Sequence, residues 1–254
     1  MHMGLMRIPT FSRRRRFVLA LCSLLATALG AVASEPAAAQ HTGRPLPPMS
    51  ASGTTGLLRI PTAEVIPYGN YVLGLNKIDR KYRPYPADEK GDSIAHFVSV
   101  GVLPRLEVTA RITNHDGKLG VQYRDDIQNG LGGWNFDRMF SVHYLLHPQT
   151  RRVPVSLAAG SQDCFGTGVF GADYLVLSRR WPRLGAHLGV GNGTLSGLFG
   201  GVDWQPTPRL TLLFDYDTNH SNIGLTYQWG RFRFTPMLNA LRALGGGITY
   251  AGPL

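Results

Sequence analysis

The chain has 254 residues, with 26 Lys and Arg against 16 Asp and Glu and a formal net charge of +10. Such an excess invites a nucleic-acid-binding reading, but much of it is concentrated near the N-terminus. Arg13 to Arg16 precede an apolar run over residues 17–33, and small residues follow at Ala31 to Ala33 and again at Ala37 to Ala39. That order is the one found in a cleavable secretory signal. Removing residues 1–39 takes away five Arg and one Glu and leaves +6, so no nucleic-acid partner is expected. Cys22 sits inside the apolar run, a poor place for a lipid acceptor. Cys164 is the only other cysteine, so the exported chain forms no internal disulfide. Nothing after residue 40 approaches the roughly 18 consecutive apolar residues of a membrane helix. Membrane insertion, if it occurs, is by strands.

Residues 40–69 read as a linker and a short periplasmic lead-in segment. Prolines cluster near Met49, and GTTGLLRIPTA (residues 53–63) shows no strand alternation. The glycines there are not followed by the Gly-Lys-Ser/Thr of a phosphate loop. From residue 71 onward, segments of period 2 follow one another. They are predicted at 71–79, 93–102, 106–113, 139–146, 153–160, 169–178, 184–190, 198–204, 210–217, 222–229, 231–239 and 244–250. Residues 114–138 read as a long polar loop with a short strand at 119–124. The clearest hairpin is 210–229, where Leu210, Leu212, Phe214, Ile223, Leu225 and Tyr227 oppose Asp215, Asp217, Asn222 and Thr226. Phe170, Ala172, Tyr174 and Val176 make the apolar face of the segment at 169–178, which sets Asp173 on the polar one. The fold class is all-β, an antiparallel transmembrane β-barrel of about twelve strands over residues 70–254.

Two patterns favour a membrane barrel over a soluble sandwich. Connections after even-numbered strands are short and rich in Pro and Arg, while the two longest, at 80–91 and 114–138, follow odd-numbered strands. Short turns at one rim and long loops at the other are the outer-membrane arrangement, with the short ones periplasmic. Trp181, Trp204 and Trp229 all fall at the short-turn rim, where a ring half in lipid and half among headgroups is at home. Gly245, Ile248 and Tyr250 have the spacing of a terminal outer-membrane assembly signal, although the chain runs on to Leu254.

If the apolar faces look at lipid, the lumen receives Glu107, Arg111, His143, Asp173, His187, Asp203, Asp215, Asp217, Arg231 and Arg233. In a narrow barrel these groups neutralise one another across the interior. They serve either a path for a hydrophilic solute or glycan, or a packed interior without flux. Tyr82, Tyr85, Trp134 and Phe136 in the long loops are suited to stacking on sugars and equally to ordering the loops. Ser141, His143 and His187 share the inferred lumen with no third orienting group, and Asp215 and Asp217 lie two apart, as any alternating strand places them. No catalytic, cofactor or metal set is assigned.

GTTGLLRIPTA followed by PYGNYVLGLN resembles the start of the YjbH-type outer-membrane proteins associated with exopolysaccharide biosynthesis. FVSVGVLPRLEVTARIT resembles their strand, Leu-Pro turn and Glu-bearing strand. GSQDCFGTGVFGADYLVLSRRW and the 210–229 hairpin are similar to later stretches of the same family. The resemblance implies a barrel in the outer membrane of a Gram-negative bacterium. Its expected partners are membrane lipid, exopolysaccharide and other envelope secretion components, and it carries no catalytic residues over. A small general porin and a structural barrel with a plugged lumen are the competing expectations.

Overall fold

A computed structural model describes residues 46–82, 92–114, 123–124, 133–134 and 136–254; the signal expected at 1–39 lies outside them, as does Tyr85. The strands are β1 (Asn70–Ile78), β2 (Ser93–Leu103), β3 (Leu106–Asn114), β4 (Tyr123–Arg124), β5 (Gly133–Trp134), β6 (Phe136–His147) and β7 (Ser156–Gly166). They continue with β8 (Ala172–Arg180), β9 (Leu184–Gly191), β10 (Gly197–Thr207), β11 (Leu210–Tyr216), β12 (Ser221–Trp229), β13 (Phe232–Asn239) and β14 (Ala243–Pro253). Strands β4 and β5 pair only with each other, and the other twelve close into one barrel. Neighbours pair antiparallel all the way round, and β1 joins β14 through Asn70 opposite Pro253 to seal it.

Outward positions explain why this wall belongs in lipid. Leu73 and Leu75 on β1, Leu188 and Val190 on β9, and Leu212 and Phe214 on β11 are exposed, with Leu188 at 59 %. A soluble sandwich would bury them; here most of the buried polar residues of the wall, such as Glu107, His143 and Asp215, lie on the opposite face. The rim bearing the shortest turns holds exposed Trp181, Trp204 and Trp229, and the Arg179 guanidinium stands 4.8 Å from the Trp181 ring. Both Asn70 and Pro253 lie at this rim, while the long segments 79–92 and 115–135 connect strands at the other.

The structure departs from the sequence reading in four places. First, residues 46–66 are not a lead-in beneath the barrel: they run inside it. Second, β8 is turned over. Tyr174 and Val176 point inward and Leu175 and Leu177 outward, because both faces of that strand are apolar and alternation alone cannot choose between them. Asp173 therefore shares the outward parity of Leu175. Third, β7 runs to Gly166 rather than stopping at 160. Its continuation Ser161-Gln162-Asp163 is polar throughout, since Gln162 meets the interior segment while Ser161 meets Asp173. Fourth, Arg231 occupies the β12–β13 turn and is exposed, donating to the Tyr250 hydroxyl at 3.2 Å on the outer side.

Candidate functional site: a lumen filled by the chain's own N-terminal segment

Residues 46–66 enter at the short-turn rim, climb twice toward the opposite rim, at Ser50 to Ser52 and again at Leu58 and Arg59, and return to meet β1. Their course is readable from their partners. Arg233, near the start of β13, donates to the carbonyl oxygens of Leu46 and Pro47. Asn76, near the far end of β1, donates to Ser50 O at 3.1 Å, and Gln162 donates to Ser52 Oγ at 3.1 Å. Ser99 donates to the Gly53 carbonyl. Arg59 then reaches Asp217 at 2.8 Å, at the long-loop rim. On the way back Ala63 N–H donates to Ser178 Oγ at 2.7 Å. Isolated bridges Met49 to Thr55 and Gly56 to Pro61 fold the segment on itself.

An irregular backbone buried in a barrel leaves N–H groups that the wall must satisfy. Two carboxylates carry most of that work. Glu107, 0 % exposed, accepts Thr55 N–H at 2.8 Å, the Thr55 hydroxyl, and Ile66 N–H at 3.0 Å. One side chain thus staples two turns of the segment, at Thr55 and Ile66, together. Asp215, also 0 % exposed, accepts the successive N–H groups of Leu58 and Arg59 at 2.9 and 2.7 Å through one oxygen, and Asn222 at 2.9 Å through the other. Two adjacent amides converging on one carboxylate form an anion nest, with the wall supplying the anion.

Two histidines complete the contacts. His143 Nε2 donates to Glu64 O at 2.9 Å, so its Nδ1 accepts the Tyr174 hydroxyl at 2.7 Å. His187 Nε2 donates to Asp203 at 2.9 Å, and its Nδ1 accepts the Ser178 hydroxyl at 2.7 Å. Arg180 bridges Asp203 and Glu64, meeting the latter through both carboxylate oxygens at 3.1 and 3.0 Å. Ser178, His187 and Asp203 have the order of a nucleophile, base and orienter. Yet Ser178 is buried and its oxygen is already taken by Ala63 N–H. The relay seats the interior segment.

Apolar packing fills the remainder. Leu57, Leu58, Ile60 and Ala63 from the segment form one cluster with Leu213, Met237, Val176 and Phe199 from the wall. Gly201 and Gly224 are where the wall makes room. A Cβ on Gly201 would stand 2.6 Å from Leu57 Cδ1 and 2.6 Å from the Phe214 carbonyl oxygen. One on Gly224 would stand 2.8 Å from Leu58 Cδ2 and 2.7 Å from the Pro236 carbonyl oxygen.

Of the ten lumen candidates, Glu107, Arg111, His143, His187, Asp203, Asp215, Asp217 and Arg233 are buried on the inner side. Arg111 lies against the Phe170 ring, 4.1 Å from its centroid. Asp173 is buried at the outward parity, held by Ser161 at 2.6 Å and Asn192 at 3.2 Å, and Arg231 is on the outer rim. The expected cross-lumen neutralisation takes a different form: Asp217 pairs with Arg59 and Arg180 with Glu64, each reaching into the interior segment. Sequence reasoning left Ser178 and Arg180 out of its lumen set and read residues 46–66 as part of a linker and lead-in; the one signal against that was the apolar set Leu57, Leu58 and Ile60. Of the loop aromatics, Tyr82 stacks edge-on with His220 at 5.2 Å between centroids, and Phe136 lies 5.8 Å from the Arg138 guanidinium.

A closed antiparallel wall, apolar outside and filled inside by the chain's own N-terminal segment, defines a plugged transmembrane β-barrel. The chain belongs to the YjbH family: the family described as "Exopolysaccharide biosynthesis protein YbjH" matches residues 49–198. It is 29% identical over 208 residues to "Uncharacterized lipoprotein YjbH" of Escherichia coli (strain K12), covering 82% of this chain and 26% of that protein. The chain thus spans about a quarter of that relative's length. Among solved structures it is similar to the KdgM porin, with a TM-score of 0.46 and 11% identity over 71% of this chain and 98% of that one. It is also similar to the Salmonella typhi outer membrane phospholipase, with a TM-score of 0.35 and 8% identity over 74% and 91%.

Proposed function

We propose that this chain is a non-enzymatic outer-membrane barrel taking part in exopolysaccharide secretion or surface assembly. In the state described here, residues 46–66 close its lumen. Family membership supports the link to exopolysaccharide, and the apolar outer wall with its tryptophan rim supports the membrane placement. The observation that carries the closed state is the saturation of the lumen: Glu107, Asp215, His143 and Ser178 each spend hydrogen bonds on plug backbone. A general porin keeps such groups facing water. Passage of a polymer would require the plug to leave or shift, and the partners able to cause that are other envelope secretion components. Export to a Gram-negative outer membrane would follow the signal read in residues 1–39.

The experiment is deletion of the coding sequence in the native host, with surface and released polysaccharide quantified and then restored by the intact chain. Unchanged polysaccharide would refute the role. Planar-bilayer recordings of the purified barrel separate the porin reading: the plugged state is silent, and steady large currents from the intact chain would favour a porin.

A further inference from the structure

A broad hollow lies on the outside of the wall. It measures about 760 Å³ and spreads over β14, β1, β2, β3 and β6, within the ~300–1,000 Å³ typical of small-ligand sites. Its floor is made by small outward side chains, Val98 and Ala110, which oppose each other across β2 and β3. Its walls are bulky: Leu73 and Leu75 on one side, Phe140 and Phe165 on the other, their rings 6.4 Å apart.

Two polar side chains interrupt this surface. His96 opposes both Leu75 and Ile112, and Ile112 opposes Arg138, so the two stand in one row across the wall. That row lies at the long-loop end: Arg138 is the third residue of β6 and His96 the fourth of β2. The apolar row of Leu73, Val98, Ala110 and Phe140 runs beside it, two residues further along each strand toward the short-turn rim. Lys77, at the same end of β1, is paired with Asp92 at 2.9 Å.

A charged side chain aimed at lipid is strongly unfavourable at the midplane and little so near the interface. Arg138 therefore sits at headgroup depth, where a guanidinium grips phosphate through two parallel hydrogen bonds. The geometry points to a binding site for one phosphorylated acyl glycolipid of the outer leaflet, of the lipid A type. Arg138 and His96 hold its phosphate, and an acyl chain lies over Val98 and Ala110. Charge complementarity chooses this occupant over an uncharged helix or strand, because the Arg138 guanidinium sits at the end of the hollow where that leaflet's phosphates are.

The test is native mass spectrometry of the intact chain, purified in detergent and offered lipid A, dephosphorylated lipid A or phosphatidylcholine. The wild type retains one lipid A per barrel, at least about tenfold above either control lipid. Arg138→Glu with His96→Ala abolishes that preference, and Ala110→Phe, which fills the hollow and leaves both polar groups in place, lowers retention of lipid A. Heat-modifiable migration of each variant shows that the barrel still closes. Equal retention of the dephosphorylated lipid, or unchanged retention by the double variant, would overturn the site and leave only ordinary boundary lipid.

Discussion

Replacing Glu107 by Gln tests whether the wall holds the plug through a single carboxylate. Glu107 Oε2 takes the Thr55 hydroxyl and Ile66 N–H, and Oε1 takes Thr55 N–H. Glutamine keeps one oxygen, so two bonds survive without charge, but its amide N–H₂ faces Thr55 N–H donor to donor. A hydrogen bond to a charged group contributes about 1.5–3 kcal/mol, and a stranded buried amide costs about 1–3 kcal/mol. Relief of burying a carboxylate offsets part of this. A net loosening of about 2–3 kcal/mol remains, a roughly 30- to 150-fold rise in the undocked population. Hydrogen exchange reads it directly: the amides of Thr55 and Ile66 speed up by that factor, while ladder amides of β9 and β10 keep their rates. If both plug amides change by less than about threefold, the carboxylate does not hold the plug.

Other perturbations probe the remaining contacts. Deleting residues 46–66 should convert a silent barrel into a conducting one in planar bilayers, and persisting silence would mean the wall closes the lumen unaided. Gly201→Ala sets a methyl against Leu57 and the β11 backbone, so plug amides should exchange faster by about 1–3 kcal/mol of overpacking, with the barrel still heat-modifiable. Leu213→Ala empties space beneath Leu57 and Leu58 and should cost about 2–5 kcal/mol, read in the same exchange experiment. Leu212→Arg, one residue away but facing lipid, should instead lower the yield of folded barrel by about 2–4 kcal/mol if it lies at the midplane. Normal assembly of that variant would reverse the assigned faces.

The outer wall was legible because lipid imposes one rule at every second position. The hairpin 210–229 obeys it: Leu212, Phe214, Ile223 and Tyr227 are exposed, while Asp215 and Asn222 are buried. The inner face obeys no such rule, because the plug asks different things of it at different heights. Leu213 alternates with Leu212 as a polar residue would, and it points inward because Leu57 and Leu58 are there to meet it. Strand β8 inverted for the same reason, Tyr174 and Val176 answering an apolar patch of plug. The plug itself has no period to detect. Its conformation is set by partners up to 187 residues away, and Thr55 or Ala63 carries no local mark of the carboxylate or hydroxyl that binds it.

The position of the seam gives these contacts an order in time. Strands β1 and β14 stand at opposite ends of the described barrel yet must pair to finish it, the costliest loop closure in the wall. Glu107 grips Thr55 from 52 residues away, whereas Asp215 reaches Leu58 from 157. The first staves therefore meet residues 46–66 well before the last ones arrive. A chain lacking that segment should gain its heat-modifiable form more slowly during refolding, and equal rates would remove the idea. The segment that shuts the finished pore is in this sense also its mandrel, the form around which the staves are wound before the seam is drawn closed.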